Sequence, residues 1–259
     1  MKRFLTLFAL LFVVGLPCNA YAYVNYDPDL NPVLHNASDE DLQPLVEYIT
    51  GKLSNYIEID ENYKRDPYKP TAYANTIASE IRSMGGNTFA NLVRGGGVEY
   101  REIVCDVADK LKVNYNKNAS VERIEGYIIQ KLFADVLESL PSKEREQLLN
   151  DIAPGVPLKK QAAAAAAIAA FNAGGFVSYK IALIVANSVA KIILGHGLSL
   201  AANATLTQTL GILSGPVGWA AVGAWTLINV AGPSYKVTIP CVVHIAMLRQ
   251  KQKYEDYAD

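Results

Sequence analysis

From Ile152 to Tyr254 the chain contains no aspartate or glutamate. That stretch carries eight bases: Lys159, Lys160, Lys180, Lys191, Lys236, Arg249, Lys251 and Lys253. Residues 23–151 are the reverse, with 22 acids against 14 bases. The formal net charge of −1 over 259 residues therefore hides an acidic half, an apolar and sparsely basic half, and a short acidic tail at Glu255, Asp256 and Asp259. A segment so poor in charge has to be covered, by other protein or by lipid. An apolar content of 51% excludes a disordered or collagen-like chain. The absence of a strong basic excess argues against a nucleic-acid partner.

The first residues read as an address. Met1-Lys2-Arg3 is a basic n-region, Phe4–Leu16 is an uncharged and mostly apolar core, and Ala20-Tyr21-Ala22 is an A-x-A cleavage motif. Residues 1–22 are thus expected to be a signal peptide cut after Ala22. The mature protein is expected in the periplasm or secreted. Pro17 before Cys18 disfavours lipidation. Cys105 and Cys241 would then be the two remaining cysteines. In an oxidising compartment they permit one disulfide, and as buried free thiols they would serve as small apolar residues. Their number does not choose between the two.

Residues 23–153 form an acidic helical module. Ser38 caps a helix with acids in its first turn and Leu42, Leu45, Val46, Ile49 and Leu53 as its stripe, blemished by Pro44. Residues 55–70 read as a tyrosine-rich loop. Thr71 opens a helix that Gly85-Gly86 ends, Asn87 caps a short one, and Gly95-Gly96-Gly97 breaks the chain again. Further helices are expected over Tyr100–Val113, from Ser120 to Pro141, and from Ser142 to Ile152. Pro154-Gly155-Val156-Pro157 is the clearest linker, and it falls at the charge boundary.

Residues 154–259 form an apolar helical module. It contains the alanine run from Ala162, an apolar helix over Ile181–Leu194, and an uncharged stretch over Leu198–Ala231. Gly211 and Gly215 have the spacing that lets helices approach closely, and Gly215-Pro216, with Gly218 just after it, would break or kink the span. Two readings stay open for 162–232: a soluble helical core, or a membrane-seeking hairpin. Missing carboxylates favour lipid, while Lys180, Lys191 and the Gly-Pro break oppose orderly spanning helices. Tyr235–Ile239 alternates like a short strand, ended by Pro240, which opens a last helix with a basic end.

No chemical signature stands out. His35, His196 and His244 show no metal-ligand spacing, and no Gly-x-Ser-x-Gly frames a serine. Neither glycine-rich piece continues as a Walker loop or a dinucleotide fingerprint. Glu99 with Glu102, and Arg94, Arg101 and Arg123, read as surface or salt-bridge residues. No catalytic residue, cofactor or metal is expected.

Three blocks carry a resemblance. They are His35–Leu42; then Gly85-Gly86-Asn87, Ala90-Asn91, Arg94-Gly95, Tyr100-Arg101, Asp106-Val107 and Lys110-Leu111; then Gly195–Leu198, Gly215–Gly218, Tyr235–Pro240 and Ile245–Arg249. On these the chain resembles the YaaW-like bacterial family, grouped with the ubiquinol-cytochrome c chaperones. Gly86, Asn91, Arg94, Tyr100, Arg101, Tyr235, Thr238, Pro240 and Arg249 are the positions that match most clearly. The resemblance implies a helical fold and no established activity. The export signal departs from typical members, which look cytoplasmic.

The expected protein is an all-α multi-helix bundle with at most one short strand. Its expected role is non-enzymatic: protein contact or chaperone-like assembly, with membrane association. The alternative is a membrane-inserting, pore-forming-like effector. A protein partner is expected.

Overall fold

Ser38 starts the first long helix as its side chain dictates. Its hydroxyl accepts from the Asp41 N–H at 3.2 Å, and the Asp41 carboxylate accepts from the Ser38 N–H at 3.2 Å. Two of the helix's free donors are satisfied reciprocally. Ser38→Ala is expected to lower stability by about 1 kcal/mol, seen as a lower urea midpoint.

The computed structural model describes residues 26–50, 56–85, 97–152, 154, 163–199 and 234–258. Among them the regular structure is helical throughout, with no strand. The helices are α1 (Asn31–His35), α2 (Asp39–Ile49), α3 (Tyr56–Ile59), α4 (Glu61–Arg65), α5 (Ala74–Gly85), α6 (Tyr100–Lys110), α7 (Val121–Ser139), α8 (Ser142–Ile152), α9 (Ala163–Asn172), α10 (Gly175–Leu194) and α11 (Tyr235–Ala258). Pro44 lies inside α2 without ending it. The tyrosine-rich stretch read as a loop holds α3, α4 and a 3₁₀ turn over Pro70–Tyr73. Asp60 caps α4, accepting from the Asn62 and Tyr63 N–H groups. Residues 1–22, expected to be a signal peptide, and Asn87–Gly96 lie outside the described residues.

Alanine sets how the two halves meet. Ala166, Ala167 and Ala170 of α9 are fully buried, and α9 packs along α7. Small side chains let the backbones come close. Gln130 of α7 donates to Asn172 at the end of α9 at 3.3 Å. Gly174-Gly175 breaks α9 from α10, which lies along α11.

α11 is the central helix. It packs against α1, α2, α5, α6, α7 and α10, so one apolar core runs through both halves. Here the expectation of a strand at 235–239 fails. Residues 235–239 form the first turns of α11, with the Val237 and Thr238 N–H groups bonded to the Ser234 carbonyl. Val237, Thr238 and Ile239 are all buried. A half-exposed strand buries alternate residues, whereas here three consecutive residues are buried and only Lys236 is exposed. Tertiary burial outweighs the β-branched propensity of Val, Thr and Ile. Pro240 sits inside the helix instead of opening it.

Candidate functional site

Two of the core's ion pairs converge on α11. Arg249 holds the Glu125 carboxylate with two nitrogens, Nε to Oε2 at 2.7 Å and a terminal nitrogen to Oε1 at 3.2 Å. A terminal nitrogen also donates to the Asp29 carbonyl at 2.6 Å. The Tyr100 hydroxyl donates to Glu125 Oε1 at 2.8 Å. Glu125 and Tyr100 are fully enclosed. Burial raises the Glu125 carboxyl above its ordinary value, although Arg249 and Tyr100 pull the other way. Burial works against the Arg249 charge, but Glu125 more than compensates and holds its pKa above the usual range.

The same assembly reaches the start of the described chain. The Tyr100 N–H, at the first turn of α6, donates to Asp27 Oδ2 at 2.7 Å. Arg82 Nε lies 3.7 Å from that oxygen and donates to the Val98 carbonyl at 2.8 Å. The Asp27 N–H donates to Asn31 Oδ1 at 2.8 Å.

A second junction joins α11 to α2. Lys251 Nζ contacts both Asp41 oxygens, at 2.7 and 3.0 Å, on nearly buried side chains. His244 Nε2 lies 2.7 Å from the Asp41 carbonyl oxygen. Gln252 donates to the Val33 carbonyl at 2.8 Å. The Lys253–Glu122 pair is more exposed.

The residues singled out from the sequence scatter over this frame. Tyr100 and Arg249 meet at Glu125. Arg101 donates to the Lys117 and Ala119 carbonyls, at 2.5 and 2.8 Å, and holds the turn before α7. Tyr235 lies under Lys110 Nζ, 5.0 Å from the ring centre. Thr238 and Pro240 are buried on α11. Cys105 on α6 and Cys241 on α11 are both free thiols, so no disulfide joins them in this structure. Burial pushes the Cys241 thiol far above its ordinary value, as for a small apolar core residue. Gly86, Asn91, Arg94, Gly211, Gly215, Pro216 and Gly218 lie outside the described residues.

Glu125, Asp41, Asp27 and Arg82 did not stand out from the sequence as site residues. One signal was there for Glu125: it shares the 3–4 spacing of Val121, Ile128 and Leu132, where an acid is out of place. Asp41 resembles an ordinary first-turn acid, and nothing local shows that Lys251 reaches it.

Among the described residues no group of three or more His, Cys, Asp or Glu gathers as metal ligands would. A groove of about 390 Å³ lies beside the α9–α10 break, lined by Gly174, Gly175, Ser178, Gln250, Lys253 and Tyr254. Tyr179 stacks on Tyr254 at 6.0 Å, and the Ser178 hydroxyl is taken by the Phe171 carbonyl. Among the described residues one helix, α10, is long and apolar enough to cross a membrane, and 67% of its apolar window is buried inside the protein.

Comparison with known proteins fits this frame. A family model described as Ubiquinol-cytochrome C chaperone matches residues 71–243. A "UPF0174 protein" of Helicobacter pylori strain J99 is 43% identical over 238 residues, covering 87% of this chain and 92% of the relative. The "UPF0174 protein YaaW" of Escherichia coli O157:H7 is 30% identical over 245 residues, covering 88% and 96%. No solved structure matches. The chain therefore belongs to the UPF0174, YaaW-like family and carries a ubiquinol-cytochrome c chaperone-like domain.

Proposed function

We propose that the protein is an exported, non-enzymatic interaction protein of chaperone-like or assembly type, whose acid-free half makes contact with a protein partner and a membrane surface. The observation that carries this reading is how the core charges are used. Glu125, Arg249, Asp41, Lys251 and Asp27 are engaged with one another or with backbone groups, so they hold α11 in place instead of presenting chemistry to a substrate. The uncharged run Leu198–Ala231 lies in sequence between α10 and α11, two helices that pack on each other. Uncharged sequence tied to a fixed frame suits contact with an apolar partner.

The test has two parts. Mass spectrometry of protein recovered from the cell envelope should give Tyr23 as the first residue. That mature chain should co-float with liposomes at neutral pH without releasing a trapped dye. Recovery with an intact Met1 overturns export, and failure to float overturns membrane contact. The length and composition of α10 favour one other reading, a membrane-inserting effector. Dye release with α10 shielded from aqueous quenchers would establish that alternative. Its deep packing against α11 favours a peripheral attachment.

A further inference from the structure

His244 is fully buried at the centre of α11. Its Nε2 faces the Asp41 carbonyl oxygen at 2.7 Å. A carbonyl only accepts, so Nε2 carries the ring proton and Nδ1 is left as a bare acceptor. Among the described residues Nδ1 has no hydrogen-bond partner, and neither does the Tyr48 hydroxyl of α2. The two rings meet edge to face, with centroids 6.1 Å apart.

The charged and titratable groups near this contact are already engaged. From α2, Asp41 is held by Lys251 at 2.7 and 3.0 Å and by the Ser38 N–H, and Glu47 lies 3.2 Å from His196. α11 itself adds Cys241, a buried thiol, and Arg249, bound to Glu125 of α7. Tyr100 of α6 donates to Glu125, and Tyr179 of α10 stacks on Tyr254. On α5, Glu80 accepts from the Ile57 N–H and Arg82 donates to the Val98 carbonyl. On α1, His35 turns to Asn75. A second proton on His244 would therefore create a buried N–H donor facing no acceptor among the described residues, and the Asp41 carboxylate is already held by an ammonium. A buried donor left unpaired is destabilising.

We propose that His244 is an acid-sensitive latch: on gaining a second ring proton it releases α11 from α2, and the apolar surface between α2 and α11 is exposed. The latch does not depend on whether that surface meets lipid. Burial holds the ring at about 4 against an ordinary 6.5, despite the opposing pull of Asp41. A histidine depressed in the closed state supports that state fully above about 6.5. Its support fades as pH falls and is gone below about 4.

Cys241 lies one turn before His244 and reports opening. In the full chain carrying Cys18→Ser and Cys105→Ser, its rate with 4,4′-dithiodipyridine is measured from pH 7 to pH 4 and divided by that of glutathione at each pH. The ratio should rise by up to about tenfold per pH unit below about 6.5 and begin to level near 4, roughly 100-fold between pH 7 and pH 4. His244→Gln keeps an N–H for the Asp41 carbonyl and cannot titrate, so its profile should be flat. A flat profile in the parent, or a His244→Gln profile parallel to it, overturns the latch. Should His244→Gln not fold, ring-nitrogen NMR of the unsubstituted chain decides. Titration of His244 together with Cys241 exposure supports the latch; titration at the ordinary value, or exposure that precedes it, overturns it.

Discussion

Arg249→Ala is expected to lower the unfolding free energy by about 3–5 kcal/mol, read as a reduced urea midpoint at an unchanged slope. The substitution leaves the Glu125 carboxylate inside the core with only the Tyr100 hydroxyl as partner. It also removes the donor to the Asp29 carbonyl, which ties α11 to the first described turn of the chain. The large effect comes from the stranded charge and not from the worth of the pair itself. Replacing both members with apolar residues, Glu125→Leu with Arg249→Met, should therefore recover much of the loss. The Lys253–Glu122 pair is the internal control, because it joins the same two helices in a far more exposed position. Lys253→Ala should change stability by less than about 1 kcal/mol. Equal effects for Arg249→Ala and Lys253→Ala would contradict the assignment of Arg249 to a buried network.

The contrast between these two pairs explains what the sequence discloses and what it conceals. Ser38 and Ser120 announce their helices because a cap acts on backbone groups two or three residues away. The stripe of α7 and the alanine run of α9 are legible for the same reason, since periodicity is local. Glu125 and Arg249 are 124 residues apart, and Asp41 and Lys251 are 210 apart. No spacing rule spans such distances, so Arg249, Lys251 and Lys253 read as a basic helix end, whereas α11 runs on to Ala258 and each of the three bases has a specific partner. The segment 235–239 fails in the opposite direction. Its residue types are those of a strand, and only the burial of Val237, Thr238 and Ile239 in the core makes a helix the better solution. Glycine shows the limit most sharply, because identical residues serve different physical ends and the sequence prints them alike.

Gly97→Ala is expected to destabilise by about 3 kcal/mol, although it adds a single methyl group. The added Cβ would press into the Arg82 carbonyl carbon, 2.5 Å from its oxygen and 2.6 Å from the Ser83 nitrogen. These are backbone atoms of α5, and no rotamer change moves them aside. The crossing is also held from both sides: the Val98 N–H donates to the Arg82 carbonyl at 3.2 Å, and Arg82 Nε donates to the Val98 carbonyl at 2.8 Å. Pushing the two segments of this crossing apart displaces Val98 and Glu99, and with them the first turn of α6. That turn places the Tyr100 N–H on Asp27 and the Tyr100 hydroxyl on Glu125, so the strain passes into the buried network. Gly195→Ala supplies the comparison. Gly195 caps α10 with φ of +83°, and a methyl group added there would have no heavy atom within 4 Å. Alanine at that position meets only the left-handed backbone penalty, about 1 kcal/mol. Urea midpoints of the two variants should fall in that order. Gly195→Ala proving the more harmful would mean that α6 does not depend on the close crossing at Gly97.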